Sequence, residues 1–243
     1  MAEESSPRPP ADDGGAEPVD PRAGLFDITI EFVGPWTDSL RSAFLAAAER
    51  IEAVVLGDLP DVVIPSDVAG QPPLVVNDLL IQAELPEVDG VGGVLGAGTP
   101  TVLRADGLLP AVATMNFDAA DAASLDARGL WGDVVLHEML HSLGFGTLWA
   151  AKGLVAAGGG GYVGPAGVAE YAAMGGAGPV PLETEGGAGT AGLHWSEAVF
   201  GKELMTGWMD AGSYLSPLTV ASLSDLGYGL APRETWAADA LYA

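Results

Sequence analysis

"LHEMLHSLGFGTLW", residues 136–149, decides how the rest of the chain is read. The protein has three histidines, and this stretch holds two of them, His137 and His141, around Glu138. Val135, Leu136, Met139, Leu140 and Leu143 recur as the apolar side of a helix through residues 134–145, with Asp133 placed to cap or open it. A four-residue step leaves two side chains only about 40° apart around a helix axis and roughly 6 Å apart along it. Both imidazoles can therefore close on one metal ion. Glu138 points along a different ray, but it can reach a water on the open side of that ion. Gly144 has the missing Cβ that lets a chain turn left-handed, and it is expected to end the helix.

Two neutral nitrogens leave Zn2+ short of ligands, because a catalytic zinc site takes three protein ligands and keeps a further position for water. The remaining histidine is His194, in "GLHWSEAVF", 53 positions beyond His141 (194 − 141). The Gly-rich chain between them is long enough to fold back over a cleft. The five-residue motif alone also arises by chance in proteins that bind no metal. Here one role accounts for every histidine, and with no cysteine in the chain any transition metal must rest on His and carboxylates.

Upstream, "FDITIEFV" (26–33) alternates with period two and reads as a half-buried strand. Gly34 and Pro35 break it, and Thr37 caps an amphipathic helix carrying Leu40, Phe44, Ile51 and Val55. Further strands are expected in 78–85, 99–104 and 111–117, with 108–115 as a candidate sheet edge for an extended peptide. "GVGGVLGAG" (90–98) lacks a nucleotide-binding fingerprint and reads as a flexible hairpin loop. Beyond Trp149 the chain is too rich in Gly and Pro for regular elements, apart from helices expected at 166–174 and 215–227. No internal repeat is present.

The chain has 243 residues, enough for one core, and carries 33 acidic against 9 basic side chains, a formal charge of −24. Such a charge repels phosphate backbones and anionic headgroups, which argues against a nucleic-acid partner. Residues 1–23 are acidic, Pro-rich and poor in large apolar side chains, the composition of a disordered tail. Neither a signal-peptide apolar core nor an apolar run of membrane length occurs. The acidity leaves extra Ca2+ conceivable, but no Asp-x-Asp-x-Asp-Gly loop supports it.

"HEMLHSLGFGTLW" (137–149), "HWSEAVFGKELMTG" (194–207), "LTVASLSDLGY" (218–228) and "ATMNFDAAD" (113–121) together resemble leishmanolysin-type metallopeptidases of the metzincin group, their bacterial relatives in particular. The similarity spans about Phe26 to Gly229. Most metzincins carry a third His six residues after the second, where this chain has Thr147. The leishmanolysin branch places a long insertion before that ligand, so the departure agrees with the resemblance.

The resemblance implies an α+β, metzincin-like zincin fold: residues 24–243 as one catalytic domain, with an upper lobe (about 24–148) of twisted mixed sheet and two long helices. The lower lobe (about 149–243) would be mostly irregular, with a C-terminal helix. It implies one catalytic Zn2+ on His137, His141 and His194, Glu138 as general base toward a metal-activated water, and protein or peptide substrates. It implies Met205 as the Met-turn residue forming an apolar floor under the ligands. Some metzincins have a Tyr two residues after that Met, where this chain has Gly207, and the absence of Cys excludes cysteine latency. Glu197, Glu203 and Asp225 are candidates either to orient a ligand His or to act as solvated or capping carboxylates. Trp208 and Tyr214 are candidates for either a pocket wall or packing. The rival reading is a non-catalytic binding or adhesion module that keeps zinc only to stabilise a Gly-rich lobe, although structural zinc has no need of Glu138.

Overall fold

The computed structural model describes residues 24–68 and 70–236. The expected tail at 1–23 lies outside the described residues. The chain runs β1 (Ile28–Val33), α1 (Asp38–Glu52), β2 (Val55–Leu56), β3 (Val62–Ile64), β4 (Leu74–Val76), β5 (Leu79–Glu84), β6 (Gly96–Leu103) and β7 (Pro110–Phe117). It continues through α2 (Ala119–Ala127), α3 (Trp131–Ser142), α4 (Pro165–Ala173), α5 (Glu197–Phe200), α6 (Pro217–Leu226) and β8 (Gly229–Leu230). The architecture is α+β, as expected, and no helix among the described residues is long and apolar enough to cross a membrane.

Four strands form a mixed sheet in the order β1-β5-β7-β6, parallel except for β6. The alternation of β1 is real: Ile28 is buried while Thr29 and Glu31 are exposed. Thr37 caps α1 through its side chain, accepting the Leu40 N–H at 3.3 Å, and Leu40, Phe44 and Ile51 are buried. Helices α1 and α3 pack on each other, and α3 also lies against β6 and β7. Trp36, Phe44, Phe117 and Trp131 lock this layer together, with Phe117 and Trp131 at 4.8 Å between ring centroids and nearly all pairs edge-to-face. The other face of the sheet is covered by the β3–β4 hairpin, whose Val76 packs with Leu80, Ala111 and Val112.

Three expectations are corrected here. The stretch 108–115 is not a sheet edge: β7 is an interior strand between β5 and β6. The chain returns antiparallel on its outer side, so β6 is the edge. Residues 90–98 are not all loop, because Gly96–Gly98 are the first residues of β6. Asp133 lies in the first turn of α3 and is not its cap: the helix starts at Trp131 with Leu130 before it and no side-chain cap. Helix α2, capped by Asp118, escapes the sequence reading because its alanines show little helical periodicity.

The C-terminal half is mostly irregular, joined by single bridges such as Leu182 to Trp195 and Trp195 to Thr206. Helix α4 coincides with the segment expected at 166–174, and α6 with 215–227. Helix α6 is capped by Ser216 and stopped by Gly227 at φ 111°. Phe145, Trp149, Tyr162 and Trp195 form a second aromatic cluster, its tightest pair 4.5 Å apart, and the Trp195 indole donates to Thr219 Oγ1 at 2.8 Å. The halves are tied by the β2–β8 pair and by the Tyr228 hydroxyl, which donates to Leu143 O at 2.9 Å.

Candidate metal centre and cleft

His137 and His141 project from α3 one turn apart, and their Nε2 atoms lie 3.0 Å from each other. His194 arrives from the other half with its Nε2 at 3.0 Å from that of His137 and 2.9 Å from that of His141. All three rings are buried. Each Nδ1 meets a main-chain carbonyl: His137 with Leu204 O at 2.8 Å, His141 with Phe145 O at 2.9 Å, His194 with Thr190 O at 3.0 Å.

These contacts set the tautomer. A carbonyl only accepts, so each Nδ1 must carry the ring hydrogen, and a neutral imidazole has just one. The three Nε2 atoms therefore face one another as lone pairs. Protonating them is no remedy, because burial pulls His137 and His194 down to about 4 and holds His141 well below the usual histidine range, with neighbouring rings adding to the effect on His141 and His194. Three neutral lone pairs at this spacing repel unless a cation sits among them. The three buried histidines could hold one metal ion.

Beside them opens a cleft of about 660 Å³, lined by the three histidines, Glu138, strand β6 and the segment 206–209. Glu138 Oε2 accepts the Gly98 N–H at 2.7 Å. Burial pushes this carboxyl up to about 7 against that hydrogen bond. The contact exists because β6 begins with glycine: a Cβ on Gly98 would sit 1.9 Å from Glu138 O, and one on Gly96 would sit 2.7 Å from the Phe117 ring. Gly98→Ala is thus expected to push α3 off the sheet edge. The expected cost is about 1–3 kcal/mol of overpacking, seen as a lower urea midpoint. An alanine protein of wild-type stability would mean that β6 and α3 are not in contact.

Gly144 adopts φ 107° two residues beyond α3, and its N–H donates to His141 O at 3.0 Å. Gly146, which the sequence reading passed over, matters as much. A Cβ there would lie 2.1 Å from Leu193 O, so its absence lets the His194 segment close on α3. The second Gly of "GFG" was its only signal in the sequence.

Met205 is fully buried; its N–H donates to Glu203 Oε2 at 2.5 Å and its carbonyl accepts the Trp195 N–H at 2.9 Å. The 203–206 segment thereby touches both His137, through Leu204 O, and the neighbour of His194. Glu203 contacts no histidine ring in this network. Its buried carboxylate instead gathers Met205 N–H, Ser216 N–H and the hydroxyls of Ser216 and Thr219. Asp225 plays the capping part, accepting from Ala166 and Gly167 N–H at the start of α4 and from Tyr162. Glu197 opens α5 with its N–H on Glu183 Oε2. Glu183, not singled out from sequence, donates its own N–H to His194 O at 2.9 Å. Tyr214 packs in the interior with its hydroxyl on Phe200 O, whereas Trp208 lines the cleft.

No curated protein matches the chain significantly. The sequence model of the leishmanolysin family, Peptidase M8, matches residues 177–235, the segment that contains His194, Glu203, Met205 and α6 but not the helix of His137 and His141. That family is zinc-dependent, and the matched segment supplies the ring that completes the triad. From both the match and the histidine geometry, the chain is similar to the leishmanolysin-type metallopeptidases.

Proposed function

We propose that the protein is a zinc-dependent endopeptidase, with residues 24–243 as one catalytic unit of metzincin-like fold. The observation that carries this reading is the convergence of three neutral imidazole lone pairs within 3.0 Å beside a buried carboxylate in a cleft. His137, His141 and His194 would hold the ion. When bound, Zn2+ supplies Lewis acidity, which makes water nucleophilic near neutral pH and polarises a carbonyl.

Glu138 is the general base. The Gly98 N–H fixes its Oε2, so Oε1 is the oxygen that takes a proton from the attacking water and passes it to the leaving amine. Edge strand β6 lies along the cleft and offers main-chain groups to an extended peptide, which favours substrates of varied sequence. Met205 would serve as the apolar floor of the centre, and Gly144 and Gly146 as the turn that brings the two halves together.

The non-catalytic module is less well supported, since a structural ion requires neither the carboxylate of Glu138 nor a cleft open beside the histidines. Unfolded casein is the test substrate. Its cleavage should stop on adding a chelator and return with one equivalent of zinc per chain. A protein fully loaded with zinc and inert toward casein and toward diverse peptides would overturn the endopeptidase.

A further inference from the structure

The cleft has a rim that this chemistry does not use. Between β5 and β6 the chain passes through "LPEVDGVGGVL" (85–95), where Gly90, Gly92 and Gly93 all adopt φ between 83° and 94°. Composition alone would leave such a loop loose, yet it is anchored along its length to the start of α2. Asp118 Oδ2 accepts three successive N–H groups, from Val88 at 3.2 Å, Asp89 at 2.7 Å and Gly90 at 2.9 Å, while its Oδ1 caps α2 through Ala120. Asp121 accepts the Gly92 N–H at 2.9 Å. The main chain closes both ends, with Asp118 N–H on Leu95 O and Ala119 N–H on Pro86 O. Both carboxylates are buried, and burying a carboxylate is unfavourable unless its hydrogen bonds are complete.

The anchored loop displays apolar side chains. Val88 is 54% exposed, Val91 81% and Val94 54%. Val94 and Leu95 also line the cleft, as does Trp208, itself 47% exposed. Scattered exposed apolar residues call for no explanation, but three on one anchored loop, continuous with a cleft wall, mark a contact surface.

We propose that residues 86–95 form a substrate-binding rim that takes apolar side chains of an extended polypeptide flanking the cleaved bond, with Asp118 and Asp121 as its positioning residues. This rests on the endopeptidase reading and narrows its substrates to unfolded or extended protein segments bearing apolar side chains. A loop already held in place loses little freedom on binding, so the anchors act on affinity. Glu138 stands on α3 and the three histidines lie outside this loop, so the rate of the chemical step should be untouched.

The test compares the zinc-loaded full chain with Val91→Ser and Asp121→Ala on unfolded casein and on a short polar fluorogenic peptide confined to the cleft. Each substitution is expected to raise KM for casein by about tenfold, with kcat and both constants for the short peptide within about twofold. Asp121→Ala should also speed hydrogen exchange at Gly90 and Gly92, which Val91→Ser should not. An unchanged casein KM in Val91→Ser, or equal losses on both substrates, overturns the proposal. So does a change of oligomeric state in Val91→Ser, which would give the valines to a contact between copies. Should Asp121→Ala fail to fold, Val91→Ser decides. If the wild-type chain cleaves neither substrate, the endopeptidase reading fails separately. Binding of labelled casein then tests the rim, and Val91→Ser must weaken it by about tenfold.

Discussion

Glu138→Gln is expected to lower kcat for peptide cleavage by about 10²–10⁴, the range supplied by a positioned general base, while zinc stays bound at one ion per chain. The substitution is chosen because the amide keeps the shape of the side chain and an oxygen for the Gly98 N–H. What it loses is the ability to take a proton. None of the three Nδ1 contacts that aim the imidazoles involves Glu138, so the ligand set should survive. Metal analysis and kcat measured on the same preparation check both halves of the statement. Glutamine protein with nearly wild-type turnover would remove Glu138 from the mechanism.

His194→Ala should have a broader effect. Two rings on α3 remain, but the third point of the triangle comes from a different part of the fold, held by Thr190 O, the Glu183 N–H and the burial of Trp195. The expected result is loss of stoichiometric zinc and of activity together. A ligand present at one hundred times its Kd stabilises a folded protein by about 2.7 kcal/mol. Chelator should therefore lower the Tm of the wild-type chain by the equivalent of that energy and leave the Tm of His194→Ala unmoved. Retention of one tight zinc by the alanine protein would mean that the distal ring is no ligand.

Much of the site was legible because its signals are local. The spacing of His137 and His141 is a property of any helix, and the apolar residues between them say that the helix is buried. Elimination pointed to His194, since no other histidine was available. Strand β1, helix α1 and the late helix α6 were readable for the same reason, with period, cap and stop all lying within a few residues of one another. Helix α2 was not, because alanine fits many structures and its cap, Asp118, also serves a loop about thirty residues earlier.

From sequence alone came the α+β class, the metal-binding pattern and the likeness to a zinc peptidase family. The order of the strands came only with tertiary structure, and with it the finding that β6, not β7, borders the cleft. So did the tautomers of the three rings and the grip of Gly98 on Glu138. The tautomer of His137 and the placement of Glu138 depend on main-chain atoms from distant stretches of chain, whereas His141 and His194 meet carbonyls four positions away. Leu204 O serves a histidine 67 positions away, and the Gly98 N–H serves a carboxylate 40 positions away. Every residue carries the same carbonyl and nearly every one the same N–H, so a sequence does not mark which of them will be used; tertiary packing makes that choice.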